Sequence, residues 1–70
     1  MNTIKYSIPA INCMHCVHTI KQELSELEGV KNVEADVVKK EVVVQFEMPA
    51  TLETIEKLLY EINFPAIKIN

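Results

Sequence analysis

Hydrophobic positions along the chain follow two different periods, and the change of period marks the predicted elements. Near the start, Ile4, Tyr6 and Ile8 alternate with polar residues, which predicts a half-buried strand that ends at Pro9. Further along, apolar residues recur every three or four positions, at Val17, Ile20, Leu24 and Leu27. That spacing predicts an amphipathic helix, which we expect Gly29 to end.

The second half of the chain repeats this order of elements. Alternation over residues 33–37 and again over residues 42–46, on either side of a polar turn, predicts a β-hairpin. Thr51 and Thr54 then provide a helix start, and Asn63 is suited to the C-terminal cap. The apolar stripe of this second helix lies at Leu52, Ile55, Leu59 and Ile62.

The tail, residues 65–70, carries two isoleucines on one face and predicts a short last strand. The element order is therefore β-α-β-β-α-β. Right-handed crossovers on short connections fold this order into two split βαβ units. We expect an α+β, ferredoxin-like sandwich, with one four-stranded antiparallel sheet and two helices on one face, in a single domain over residues 1–70.

Composition and charge narrow the function classes. The 10 acidic residues outnumber the 7 lysines, there is no arginine, and the net charge is −3, which makes nucleic acid an unsuitable partner. The adjacent pair Lys39 and Lys40 is expected to be a solvated turn. No signal-peptide run and no stretch of about 18 apolar residues is found, so we expect no membrane insertion and a cytoplasmic location.

The two cysteines carry the candidate chemistry. Cys13 and Cys16 lie two residues apart just before the predicted helix, and a disulfide between them would close too small a ring to staple the fold. The partial positive charge at a helix N-terminus lowers the pKa of such thiols. Soft thiolates select Cu(I) and its relatives, and two thiolates on an exposed loop leave Cu(I) open to a third from a partner.

Other metal ligands are scarce near this pair. A structural zinc site normally takes four ligands, and only His15 and His18 can add to the cysteines. We expect His15 to point away from the sulfurs and His18 to be a surface residue. Met14 offers a thioether, but we expect it to cover the loop. Phe64 follows the second helix, in a loop that returns to the same end of the sheet, where it would limit access of water.

The stretch from Ala10 to Cys16 resembles the signature Gly-Met-x-Cys-x-x-Cys of the heavy-metal-associated domain family. That family includes bacterial copper chaperones and the N-terminal domains of metal-transporting P-type ATPases. The cysteines match, whereas Ala10 and Ile11 stand where the family has Gly and Met. The alternating residues of the predicted hairpin and the aromatic Phe64 also match, so the resemblance covers nearly the whole chain.

The resemblance implies roles for the residues around Cys13 and Cys16. Ile11 would replace the family's methionine as a buried prop under the loop, and Asn12 would cap the helix. Phe64 would be the aromatic residue beside the metal, and His15 resembles a histidine of soluble bacterial chaperones. Together with Met14, these residues are our candidates for supporting contacts or weak ligation.

The resemblance implies a Cu(I) metallochaperone, not an enzyme, that hands its ion to a P-type ATPase or another thiol site. Two sulfurs also accept Zn(II), Ag(I), Cd(II) or Hg(II). A thiol-disulfide redox module is an alternative, since Cys-x-x-Cys is also a redox motif. We expect the protein to be a monomer. A third hypothesis is a homodimer for metal storage, in which a metal ion bridges two copies of the chain.

Overall fold

A computed structural model describes residues 2–69. Within them the elements are β1 Asn2–Ser7, α1 Met14–Ser25, β2 Val30–Asp36, β3 Glu41–Phe46, α2 Leu52–Glu61 and β4 Ile67–Lys68. The strands form one sheet in the order β2-β3-β1-β4, and every neighbouring pair is antiparallel. The predicted βαββαβ order and the ferredoxin-like α+β class are confirmed.

The register of the central strands explains how the core forms. Ile4 lies opposite Val44 and Tyr6 opposite Val42, and all four side chains are buried. Successive side chains of a strand point to opposite faces, so these residues share the face that the helices cover. The buried core comprises Ile4, Tyr6, Ile8, Ile11, Val17, Ile20, Leu24, Val33, Val42, Val44, Phe46, Ala50, Ile55 and Leu59.

The first helix ends earlier than its apolar stripe predicts. It stops at Ser25 with Glu26 as its C-terminal cap, so Leu27 lies outside it, and Gly29 does not end it. The cause is a tightening of the last turn, where the Leu27 N–H donates to the Leu24 carbonyl. Gly29 instead turns the chain into β2 with φ +101°, where a Cβ would lie 2.3 Å from the Glu47 carbonyl oxygen.

The second helix begins as its sequence predicts, but its C-terminal cap is Ile62, one residue before the Asn63 that we expected. Thr51 and Thr54 exchange side-chain and backbone hydrogen bonds in a capping box. At the other end Asn63 has φ 70°, its N–H donates to the Tyr60 carbonyl, and the Phe64 N–H donates to the Leu59 carbonyl at 2.8 Å. This pair of bonds is a Schellman motif, and it determines where Phe64 leaves the helix.

The last strand is shorter than predicted. β4 comprises Ile67 and Lys68, and the Ile69 N–H adds a bond to the Lys5 carbonyl. Ile67 and Ile69 are both exposed, and Asn70 lies outside the described residues. Met48, which we expected to fill space, is also exposed, because it follows β3 in the connection to α2 and contributes nothing to the core.

The topology brings three connections to one end of the sheet. β1 and β3 are antiparallel with Ser7 opposite Glu41, so the segment after β1 lies beside the hairpin turn that precedes β3. Since α2 follows β3 and returns along the sheet, its C-terminal end reaches the same side. The segment 8–13, the turn 37–40 and Phe64 therefore share this end.

Candidate metal centre

Cys13 and Cys16 are brought together by the start of α1. Cys13 is the N-cap, with an extended backbone at φ −162° and ψ 168°, and Cys16 is the third helical residue. This spacing places the two Sγ atoms 3.5 Å apart. Cys13 is exposed and Cys16 is half-buried against the core, so the pair is open to solvent on one side.

The helix N-terminus acts electrostatically on Cys13. Its pKa is lowered from the ordinary value, mainly by the backbone N–H of Cys16 and next by the Cys16 thiol. Slight desolvation opposes this effect, and the backbone N–H of His15 adds a smaller lowering. Backbone N–H groups at a helix N-terminus favour a nearby negative charge, and here the Cys16 N–H also donates to the Cys13 carbonyl at 3.1 Å. The lowered pKa favours the thiolate form of Cys13, which is the form that binds metal.

Asn12 does not cap the helix, which corrects our expectation. The residue with the extended backbone is Cys13, so Asn12 lies one position too early to reach the free N–H groups, and no side chain makes a capping hydrogen bond to this helix within residues 2–69. Its amide oxygen instead accepts a hydrogen bond from Cys16 Sγ at 3.4 Å. Asn12 thus holds the Cys16 thiol.

Ile11 and Ala10 fit the loop although they depart from the family signature. Ile11 is completely buried in the core, as expected of a prop under the loop. In the described part of the chain, the only residues other than glycine with positive φ are Lys40 and Asn63, so Ala10 needs no left-handed backbone. A side chain at position 10 is therefore tolerated.

Of the remaining candidates, His15 acts on Cys13 through its backbone N–H, and within residues 2–69 no hydrogen bond joins the side chain of His15, His18 or Met14 to either sulfur. His15 and His18 are both exposed on α1, as expected of His18, and the direction of the His15 ring relative to the sulfurs stays a prediction. Met14 is 67% exposed, so most of its surface faces solvent, and its predicted role of covering the loop stays a prediction. Among residues 2–69, no group of three or more His, Cys, Asp or Glu side chains is arranged to hold a metal ion.

Phe64 lies at the same end of the fold as the cysteines. Its ring is half-buried and packs against the hydrophobic core, as does Cys16. The Schellman motif of α2 sets this position. Its predicted place at this end of the sheet is therefore confirmed, and a shielding role beside a metal ion remains a prediction.

Lys40 makes a contact with the cysteine loop that the sequence did not lead us to expect. We expected a solvated turn, yet the Lys40 ammonium donates to the backbone carbonyl of Ile11, two residues before Cys13. Lys40 is half-buried, whereas Lys39 is exposed. The signal was present in the predicted topology, because an antiparallel pairing of β1 with β3 places the hairpin turn beside the segment after β1.

Comparison with known proteins decides the family. Residues 5–65 match the family model of the heavy-metal-associated domain. The chain belongs to the heavy-metal-associated domain family. The match includes the cysteine loop, both helices, the β2–β3 hairpin and all but the first three residues of β1.

Individual relatives agree with this assignment. A COP-associated protein of Helicobacter pylori is 41% identical over 58 residues, which is 83% of this chain and 88% of that protein. The periplasmic component of a mercuric transport protein from Shigella flexneri is 31% identical over 65 residues, 91% of this chain and 71% of that protein. The solution structure of apo-CopP from Helicobacter pylori is 35% identical and superposes with a TM-score of 0.85, covering 94% of this chain and 100% of that one.

The described residues form no helix that is long and apolar enough to cross a membrane.

Proposed function

We propose that this heavy-metal-associated domain carries one Cu(I) ion between Cys13 and Cys16 and hands it to a thiol site on a partner. One observation supports this most directly. The two Sγ atoms lie 3.5 Å apart at a helix N-terminus, with the exposed Cys13 already biased toward its thiolate form. Two thiolates on a monovalent ion leave one negative charge, which the helix N-terminus stabilises.

The sulfur separation has a consequence for the bound state. With metal–sulfur bonds of about 2.3 Å, sulfurs 3.5 Å apart subtend an angle of roughly 100° at the metal. A linear arrangement needs a separation of about 4.6 Å at the same bond length, so the pair must open by roughly 1 Å. Cys13 is exposed, whereas Cys16 is half-buried against the core, which restricts its movement. We propose that Cys13 moves on loading.

The open side of the pair supports transfer to a partner. Within the described residues the pair has no third protein ligand, so an incoming thiolate can approach from the solvent side. Ligand exchange then proceeds through a three-sulfur intermediate, after which Cys13 is the easier sulfur to detach. The family resemblance directs us to a metal-transporting P-type ATPase, or another thiol metal site, as the acceptor.

We propose a cytoplasmic monomer that carries metal and is not an enzyme. A reducing compartment keeps both thiols free for metal, as they are in the structure. The mercuric transport relative is periplasmic by name, so fractionation of cells that make this protein tests the location. Recovery from the cytoplasmic fraction is the expected result, and recovery from the periplasm would contradict it.

The function is tested by anaerobic competition for Cu(I) and Zn(II) on the reduced protein, with native mass spectrometry as the readout. Cys13→Ser and Cys16→Ser remove one ligand each, and His18→Ala is the matched control on the exposed side of α1. We expect one Cu(I) per wild-type and His18→Ala chain, preferred over Zn(II), and loss of tight binding in both cysteine variants.

The same experiment separates the alternatives. Preference for Zn(II), Cd(II) or Hg(II) would change the cargo but keep the site, and Ag(I) serves as a spectroscopically silent probe of the same thiolates. A mass of two chains per metal ion would favour a bridged homodimer for storage. Binding that survives both cysteine substitutions would contradict the proposal, and catalytic reduction of a model disulfide would favour the redox module.

A further inference from the structure

The hairpin turn between β2 and β3 holds the segment that leads to Cys13. Asp36 accepts hydrogen bonds from the backbone N–H groups of Val38 and Lys39 at 2.8 and 3.1 Å, and these bonds close the turn. Lys40 follows with φ 56°, a left-handed conformation that directs it toward the cysteine loop. The turn is therefore built to present Lys40 to the loop.

Lys40 contacts this loop at two points. Its backbone carbonyl accepts the N–H of Ile8 at 2.7 Å, and its ammonium donates to the carbonyl of Ile11. Between these points the Ile11 N–H donates to the Ile8 carbonyl at 3.1 Å, so residues 8–11 form a closed turn. The side chain of Ile11 is completely buried, so this turn is also anchored to the core.

We infer that Lys40 is a positioning residue for the metal site. It holds the carbonyl of Ile11, and through the two following residues it holds the backbone of Cys13. The inference deepens the proposed function and its metal-dependent part rests on it. A buried or partly buried carbonyl needs a donor, and the ammonium is a strong one because it carries charge. The same positive charge is held at Ile11, two residues before Cys13, where it would favour a metal–dithiolate complex with one net negative charge.

Three variants test whether the charge and the hydrogen bond of Lys40 are what matters. Lys40→Met keeps an apolar stem of similar length but removes the donor and the charge. Lys40→Arg keeps both. Lys39 is the neighbouring residue, and its side chain is exposed. Lys39→Met removes one positive charge from the same turn, so it is the matched control.

The first readout is amide hydrogen exchange of the metal-free protein, followed by NMR. The Ile8 N–H bonds the Lys40 backbone, which Lys40→Met retains, whereas the Ile11 N–H lies in the turn that the ammonium holds. We expect exchange at Ile11 to become about tenfold faster in Lys40→Met, with exchange at Ile8 unchanged. Lys40→Arg and Lys39→Met should match the wild type. Equal acceleration at both amides, or none at Ile11, would overturn the inference.

The second readout is the rate at which Cu(I) is released to excess bathocuproine disulfonate. We expect release from Lys40→Met to be about tenfold faster, corresponding to the loss of one charge-assisted hydrogen bond, with Lys40→Arg restored to the wild-type rate. Release that is unchanged in Lys40→Met would overturn the role in metal retention. If the wild type binds no Cu(I), the proposed function fails, and hydrogen exchange alone decides whether Lys40 positions the loop.

Discussion

The Tyr6 hydroxyl donates a hydrogen bond of 2.9 Å to a carboxylate oxygen of Glu56. Tyr6 lies on the central strand β1 and its residue surface is completely buried, while Glu56 is on the exposed side of α2. The bond therefore joins strand β1 of the sheet to helix α2. It also gives the one polar atom of a buried aromatic side chain a charged acceptor.

We expect Tyr6→Phe to lower the free energy of unfolding by about 1 kcal/mol, because it removes this bond and keeps the ring packing. Glu56→Gln retains an acceptor and should cost less than Tyr6→Phe. Urea denaturation of the two variants and the wild type measures the difference. A Tyr6→Phe protein as stable as the wild type would show that the bond contributes nothing.

Alkaline pH should destabilise the protein through the same tyrosine. Burial, the hydrogen bond to Glu56 and the charge of Glu56, in that order, raise the pKa of Tyr6 above its ordinary value. Above about pH 10 the unfolded chain therefore releases this proton while the native protein keeps it, so stability falls as the pH rises.

The measurement is the free energy of unfolding at about pH 9 and about pH 11, on either side of the ordinary tyrosine pKa. We expect the wild type to lose more stability over this interval than Tyr6→Phe, which has no buried phenol to titrate. Equal losses in both proteins would argue against a raised pKa of Tyr6.

The lowered pKa of Cys13 predicts its reactivity. In Cys16→Ala, the backbone N–H that most lowers the pKa of Cys13 remains, while the thiol that also lowers it is lost. We expect Cys13 to be alkylated by iodoacetamide with a midpoint below the ordinary thiol value of about 8.5, and nearer to that value after unfolding in urea. A midpoint that unfolding leaves unchanged would remove the helix N-terminus as the cause.

Ile11 offers a test of how the loop is supported. Ile11→Ala should destabilise the protein by about 2–5 kcal/mol, because it leaves a cavity under the loop. Ile11→Met restores the residue of the family signature at nearly the same volume and should cost less than about 1.5 kcal/mol. Thermal or urea unfolding distinguishes the two, and a Met variant as unstable as the Ala variant would show that the isoleucine shape itself is required.

The fold was predictable because the local sequence patterns and the burial of the apolar residues indicate the same helices and strands. Alternation at residues such as Val42 and Val44 marks a strand that is covered on one face, and Thr51 with Thr54 marks a helix start by a purely local mechanism. The end of α1 was not predictable in the same way. Leu27 continues the apolar spacing, but the last turn is tightened and Leu27 lies outside the helix. Where the helix ends depends on tertiary packing, which the apolar spacing does not contain.

For the candidate site, the sequence predicted that the two cysteine sulfurs lie together, which the structure shows, but it did not predict the contacts around them. Cys13 and Cys16 follow from a motif at a helix start. Asn12 was wrong as a cap because a one-residue shift in the helix start changes which side chain reaches the free N–H groups. Lys40 was missed because its contact with Ile11 spans 29 residues, and pattern analysis of a turn does not include such distant partners.

In the function that we propose, Cys13 and Cys16 together hold one soft metal ion. The most direct test is X-ray absorption at the copper K-edge of the protein loaded with one Cu(I), in the wild type and in His15→Ala. We predict a shell of sulfur scatterers only, the same in both proteins, with no imidazole contribution. A light-atom shell from histidine, or a spectrum that is unchanged when Cys13 or Cys16 is replaced by serine, would contradict the account.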